Sequence, residues 1–462
     1  MNSSEVYLKK IGSALRSDPV MQPTNSEIEE LMQQYLRKLR LFLPKHRRAA
    51  GQVPGAVVIV RKGDEIIHLK GYGCANLETE EEITPETVFD LGSVSKQFTA
   101  FAALSVFSKD ALDTPISKYL RGFPRYADKI TIKQLIHHTS ALPDYIDLHV
   151  AARRAAEDWY EKVLRRPDNW YPQMSRRKKA KELTNGDILK LVASQRLLPR
   201  EPDVDFEYSN TGYVLLAEIV RRATNQRLSE VLKERVFSVV GMDNTYVFDE
   251  TSKFRKKAPE VLHHAKCYNA VKDKGFSPVG YSPMNFVYGD GNIHSTIVDM
   301  AKWDRHLTLL DRRTICESHA KGGEKGVNAR SILWEPAKLL HQKQSEYGAG
   351  WNLLHNKYKD NFKLKNGRSV TKTFASRAEY HRGEWLAWEN YVARAQKWEL
   401  PAEGKQVDPE TWESMGIVVL TNNNVPAAGK EFYACALAKQ ISQVCWGNFK
   451  EDNIINCVNC AL

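Results

Sequence analysis

The sequence predicts an α+β fold. One antiparallel sheet is built from the N- and C-terminal parts, helices flank it, and a mostly helical lobe comes from the middle of the chain. Three observations carry this expectation. β-Branched runs sit near both ends, at 53–60 and 415–423. Apolar residues recur at helical spacing from 91 to about 240. No repeat period divides the 462 residues.

The elements follow in order. Residues 26–45 (SEIEELMQQYLRKLRLFLPK) read as an amphipathic helix, with Ser26 as N-cap and Glu29 three residues on. "VPGAVVIV" (53–60), the turn "RKGD" (61–64) and "EIIHLKGYG" (65–73) make a hairpin. "LGSVSKQFTAFAAL" (91–104) reads as the first turns of a helix with an apolar face. "ITIKQLIHHTS" (130–140), "GYVLLAEIVRRATN" (212–225) and "STIVDMAKWDRHL" (295–307) keep the helical period, the last with Ser295 or Thr296 as cap. "AGWNLL" (349–354), "ENYVAR" (389–394) and "MGIVVLTNN" (415–423) are short strands, and "AGKEFYACALAKQIS" (428–442) is a last helix. The expected division is an N-terminal extension at 1–49, one domain at 50–445 and a tail at 446–462. Within the domain the helical lobe covers about 110–290, with insertions at about 150–182 and 395–414.

Composition narrows the class. Apolar residues are 42% and charged residues 27%, which is globular rather than disordered. No run approaches the ~18 apolar residues of a membrane span. The first residues, MNSSEVYLKKIGSALRSDPV, lack the apolar core of a secretory signal, so a cytoplasmic protein is expected. Lys9, Lys10 and Arg16 on a weakly amphipathic stretch leave organelle targeting open. The net charge of +11 is concentrated at 153–181, where Arg153, Arg154, Arg176, Arg177, Lys178 and Lys179 stand among others. That run is read as a solvated insertion; nucleic acid is not the expected partner. Seven scattered cysteines argue against a disulfide framework. Cys457-Val-Asn-Cys460 is a lone C-x-x-C with no second pair at zinc spacing, so no metal is expected.

Chemistry enters at Ser93 and Lys96. An alcohol attacks only when a base within about 2.6–3.2 Å takes its proton. Residues three apart on a helix share a face, so the two can meet. The amine must be neutral to serve, which burial and nearby positive charge favour. Ser-x-x-Lys alone is a weak signal, since most such pairs lie on surfaces. Two further stretches stand in order behind it. "FEYSNTGY" (206–213) places Tyr208 and Asn210 two apart, either pointing into a cleft or with Asn210 capping the helix that begins near Thr211. "EYHRGEWLAWENYVAR" (379–394) places His381, Arg382 and Gly383 at the opening of a strand edge, where glycine admits another backbone.

With these stretches together the sequence resembles the serine β-lactamase and penicillin-recognising superfamily. The branch it is most similar to holds class C β-lactamases, D-Ala-D-Ala carboxypeptidases and β-lactamase-like esterases. The likeness runs from about 50 to 440, through "VPGAVVIVRKG", "GYGCANLETEEEITPETVFDLGSVSKQFTAFAAL", "LDTPISKYL", "ITIKQLIHHTSALPDY", "YSNTGYVLLAEIV", "GDGNIHSTIVDMAKW", "YGAGW", "HRGEWLAW" and "GIVVLTNN". The resemblance implies a β-lactamase/transpeptidase-like fold. It implies Ser93 as acylated nucleophile, Lys96 as base and Tyr208 as proton relay, with Asn210 positioning the substrate. His381 and Gly383 replace the Lys-Thr-Gly element. The N–H groups of Ser93 and Glu384 would form the oxyanion hole. No cofactor is implied.

The sequence departs from the family pattern in four places. His381 stands where lactamases have Lys, which favours esterase- or peptidase-like chemistry. Arg382 is bulky where a small residue is usual, and either fixes a substrate carboxylate or points to solvent. Ala141 replaces a usual Gly. Glu384 is expected to point outward, because strand neighbours alternate faces. The expected function is a serine hydrolase acting on small esters, amides or D-amino-acid peptides. A β-lactamase or D-Ala-D-Ala carboxypeptidase is the second reading, and a catalytically idle binding or scaffold protein the third. The partner expected is a small-molecule or peptide substrate, and oligomeric state is not legible.

Overall fold

The computed structural model describes residues 23–148, 183–249, 263–279, 286–320, 335–340, 345–363, 369–400, 407–408, 412–425 and 433–445. The basic run 153–181, the Cys457–Cys460 pair and the proposed tail lie outside them.

Six strands form the main antiparallel sheet: β1 (Ala56–Lys62), β2 (Glu65–Tyr72), β3 (Asn352–Lys363), β4 (Ser369–Trp385), β5 (Trp388–Glu399) and β6 (Glu413–Thr421). Their order is β3-β4-β5-β6-β1-β2, so the two ends of the sequence meet where β1 pairs β6, Val58 opposite Val419. The 53–73 hairpin forms as read, with Gly63 supplying the positive φ (+56°) of its turn.

Alternation along β1 explains the layering. Val57 and Ile59 face the larger core, while Ala56, Val58 and Val60 face the other side. On that second side lie α1 (Pro23–Arg40) and α7 (Tyr433–Cys445), through Ile28, Met32, Leu39, Leu437 and Ile441. Each such fully buried Val or Ile contributes roughly 1.5–3 kcal/mol of transfer free energy. α1 starts before Ser26, so Ser26 lies inside the helix rather than capping it. Its first turn is docked on β2, where Asn25 Oδ1 meets His68 Nδ1 at 2.5 Å.

The first side is covered by α6 (Ile297–Ala320) and by the helical lobe, built from α2 (Lys96–Val106), α3 (Ile132–Ile136), α4 (Asn185–Ala193) and α5 (Asn210–Thr224). α6 begins as expected: Thr296 Oγ1 accepts from the Asp299 amide at 3.2 Å. α2 is buried all round from Lys96 to Leu104, which suits a helix wedged between sheet and lobe.

Between α6 and the sheet lies a layer of buried charge. Arg61 on β1, Arg377 on β4 and Arg394 on β5 face Asp304 and Asp311 of α6 and Glu379 of β4. The strand β5 also runs on through Ala395–Glu399, paired with β4, so the expected 395–414 insertion leaves the sheet later than its sequence indicated. Cys435 is disulfide-bonded, whereas Cys74, Cys267 and Cys445 are free thiols.

Candidate active site

Ser93 stands on a 3₁₀ turn, Gly92–Ser95, that runs straight into α2. The turn is pinned from behind. Asp90 Oδ1 accepts from the Gly92 amide at 2.9 Å, Asn390 Nδ2 donates to the Asp90 carbonyl at 2.8 Å, and the Leu91 amide donates to the Ile293 carbonyl at 2.8 Å. Gly92 has φ +52°, and a Cβ there would stand 2.9 Å from the Glu384 nitrogen. A Cβ on Gly383 would stand 2.0 Å from the Leu91 carbonyl oxygen. The two glycines therefore let the Ser93 turn lie directly against the end of β4, which brings the Glu384 amide beside it.

Lys96 is completely buried. Its Nζ lies 2.9 Å from Ser93 Oγ, 2.7 Å from Asn210 Oδ1 and 2.8 Å from the Asp290 carbonyl. Asn210 Oδ1 and the Asp290 carbonyl can only accept from the amine, whereas the Ser93 hydroxyl can accept from it or donate to it. The Tyr208 ring is 4.8 Å from the same nitrogen.

Asn210 does not cap the helix with its side chain; it is the first residue of α5 and its amide oxygen faces Lys96. The helix end is satisfied instead by Asp144, whose Oδ2 accepts from the Asn210 amide at 2.7 Å.

His381 to Gly383 lie near the end of β4, which is paired with β5 through residue 385. The β3 ladder stops at Tyr380. Beyond it, among the described residues, no strand pairs β4 on that side, and the Ser93 turn faces the gap. His381 is buried, donates from Nδ1 to the Arg382 carbonyl at 2.6 Å and accepts at Nε2 from Tyr347 OH at 3.0 Å. Its tautomer follows from those partners. Arg382 and Glu384 share the opposite strand face and pair at 3.4 Å. Glu384 is exposed yet forms part of the pocket wall, so it sits at the rim rather than wholly outside.

Sequence reasoning missed four groups here. His138 is buried with φ +58°, accepts at Nδ1 from the Ser209 amide at 3.1 Å, and lies tilted against the Tyr208 ring with centroids 4.4 Å apart. Tyr347 packs 4.6 Å from His138 and bonds His381. Asp290 and Tyr145 line the pocket beside Ser93. All four fall in stretches that carried the resemblance, "HHTSALPDY", "YGAGW" and "GDGN", but their polar roles depend on contacts far apart in the chain. Ala141, in the usual Gly position, has φ +57°, which explains why Gly is the easier residue there.

Buried rings dominate the electrostatics. Burial lowers His68 to about 4, and His137, His264, His294 and His381 to about 3. For His381 the Lys96 charge adds to the burial effect. Each ring is neutral in the fold and takes up a proton on unfolding below its usual value of about 6.5, so stability is lost as pH falls from there toward about 3. Burial raises Asp90 to about 7 and Asp290 to about 6, which acts in the opposite sense. Burial also lowers His138 and His355 and raises Asp144, so among the described residues seven lowered rings stand against three raised carboxyls. The melting temperature is expected to fall by several degrees between about pH 6.5 and about pH 4.5 in calorimetry. A constant or rising value would mean that these rings are not held neutral.

The three-layer arrangement, with a Ser-x-x-Lys turn between a sheet end and a helical lobe, defines a β-lactamase-like fold. The chain belongs to the Beta-lactamase family, whose model matches residues 28–438. It is 26% identical over 349 residues to a penicillin-binding protein of Bacillus subtilis (strain 168), covering 73% of this chain and 64% of that protein. It is 26% identical over 268 residues to a D-aminopeptidase of Brucella anthropi, covering 57% of this chain and 44% of that one. The chain thus spans less than two thirds of the length of these curated relatives. Among solved structures, the D-amino acid amidase of Ochrobactrum anthropi superposes with a TM-score of 0.57 at 19% identity, covering 92% and 98% of the two chains. An octameric penicillin-binding protein homologue of Pyrococcus abyssi gives 0.57 at 19% identity, covering 91% and 77%. No helix among the described residues is long and apolar enough to cross a membrane.

Proposed function

We propose that the protein is a serine hydrolase that works through an acyl-enzyme on Ser93. The observation that carries this reading is the Lys96 amine, buried and 2.9 Å from Ser93 Oγ, with its other two contacts on carbonyl acceptors. In the proposed working form Lys96 is neutral, donates to those two acceptors and turns its lone pair toward the Ser93 hydroxyl. Ser93 Oγ attacks the substrate carbonyl carbon, and the proton passes to Lys96. The oxyanion forms against the Ser93 and Glu384 amides. Tyr208 relays the proton to the leaving alcohol or amine as the bond to the acyl carbon breaks. Water then attacks the ester, its proton returns through Lys96, and the acid leaves. Asn210 orients both Lys96 and the substrate amide. His381, neutral and fixed by Tyr347 and the Arg382 carbonyl, forms the wall behind Tyr208 and carries no charge for a substrate carboxylate.

The substrate class proposed is small esters, amides or D-amino-acid peptides; the names of the D-aminopeptidase and D-amino acid amidase relatives support it. A penicillin-binding relative keeps β-lactams in the test panel. The testing measurement is intact mass after exposure to a fluorophosphonate probe. Wild type is expected to gain one probe mass and Ser93→Ala none. No gain in either protein would move the idle binding protein ahead.

A further inference from the structure

We propose that the Asp290 carboxylate, braced by Tyr145, is a binding point for a primary ammonium group on the substrate, next to the bond that Ser93 attacks. This rests on the acyl-enzyme reading for its location and adds the charge of the substrate to it.

Asp290 lines the same pocket as Ser93, Tyr145, Asn210, Glu384 and Trp385, and is only 8% exposed. Its main-chain carbonyl holds Lys96, while its side chain serves something else. Oδ2 accepts from Tyr145 OH at 3.0 Å. Oδ1 is buried and has no hydrogen-bond partner among the described residues. A buried carboxylate oxygen left without a donor is costly and calls for one.

The surrounding charges do not supply it. Asp144 is already satisfied at both oxygens by the Asn210 and Ile146 amides, at 2.7 and 2.8 Å. At the rim Arg382 is paired with Glu384. Among the described residues, the cation that acts on Asp290 is Lys96, whose amine bonds the Asp290 main-chain carbonyl at 2.8 Å rather than Oδ1; in the proposed reaction a neutral Lys96 would carry no charge to offset the carboxylate. Of the two described carboxylates that line the pocket, Glu384 has Arg382 as its partner, and Asp290 keeps one oxygen without a donor among the described residues. Burial raises this carboxyl to about 6, and a bound cation acts against that rise.

The geometry also selects among cations. A guanidinium binds best through two parallel bonds to both carboxylate oxygens. Tyr145 occupies one of them, so a single-point donor fits better. A primary ammonium is such a donor.

The experiment compares matched substrates and ligands. Alanine p-nitroanilide, in both enantiomers, is set beside propionic acid p-nitroanilide, which lacks only the amine. Wild type is expected to favour the ammonium substrate in kcat/KM by about tenfold or more, and Asp290→Asn to bring that ratio toward one. A wild-type ratio of one, or a loss in the variant shared equally by both substrates, would overturn the proposal. In the second case Asp290 acts only through Lys96. A turnover-free arm titrates propylammonium chloride and 1-propanol at constant ionic strength by ligand-observed NMR. Propylammonium is expected to bind more tightly than propanol, and to lose that advantage in Asp290→Asn. Equal binding overturns the proposal. Absence of a probe adduct at Ser93 is instead the failure of the acyl-enzyme reading, and the NMR arm still decides the ammonium site.

Discussion

Replacing Lys96 with Met is expected to lower kcat/KM for any turned-over ester or amide by about 10²–10⁴-fold, the usual contribution of a positioned base. Met keeps the length and flexibility of the stem inside a fully buried site. It removes the nitrogen 2.9 Å from Ser93 Oγ and leaves Asn210 Oδ1 and the Asp290 carbonyl without their donor. Each such orphaned acceptor costs about 1–3 kcal/mol, so circular dichroism and a melting curve must accompany the kinetics. The rate of fluorophosphonate addition to Ser93 should fall in parallel, because the same proton transfer limits it. A folded Lys96→Met protein with near-wild-type turnover would mean that the base lies elsewhere, and the assignment of Ser93 would lose its main support.

The largest loss of stability is expected from Arg394→Met, about 3–5 kcal/mol, which is typical for breaking a buried ion network on one side. Arg394 is fully buried, 3.2 Å from Asp311, 3.3 Å from Glu379 and 4.0 Å from Asp304. Arg61 and Arg377 supply the other positive charges, and Gln396 donates to Asp311 at 2.5 Å. Three arginines thus balance three carboxylates. Removing one arginine leaves a buried negative charge with no counter-ion. The double variant Arg394→Met with Glu379→Leu restores the balance and is expected to recover part of the loss. Urea midpoints of wild type, both single variants and the double variant measure this. A single variant within about 1 kcal/mol of wild type would mean that the layer is hydrated.

Much of the candidate site is legible in the sequence. Ser93 and Lys96 meet because three-residue spacing on a helical turn leaves them little choice. Tyr208 and Asn210 fall where a loop enters α5, and Asn210 reaches Lys96 across 114 residues of chain. What stayed hidden depends on which element covers which face. Arg377, Glu379 and His381 alternate with Ala378 and Tyr380, a pattern that reads equally well as a solvated strand face. Only α6 lying across it turns Arg377 and Glu379 into interior residues. Period-two alternation says which residues share a face but not whether that face meets water. Asp290 was passed over for a similar reason. Its partners Lys96 and Tyr145 lie 194 and 145 residues away.

The pairing of β1 with β6 also sets a constraint in time. Val58 emerges from the ribosome early, and its ladder partner Val419 is among the last residues of the sheet to be made. At about 5–20 residues per second, the wait between them is roughly 20–70 s. Throughout that interval one long edge of the apolar β1–β2 hairpin has no neighbour, and an open edge of that kind invites pairing with other chains. The Ser93 turn likewise cannot find Gly383 and Glu384 until β4 exists, so the nascent chain holds the proposed nucleophile before its proposed oxyanion site. High contact order thus makes completion of the sheet and assembly of the site one late event, and makes protection of the unfinished hairpin a requirement of its biosynthesis.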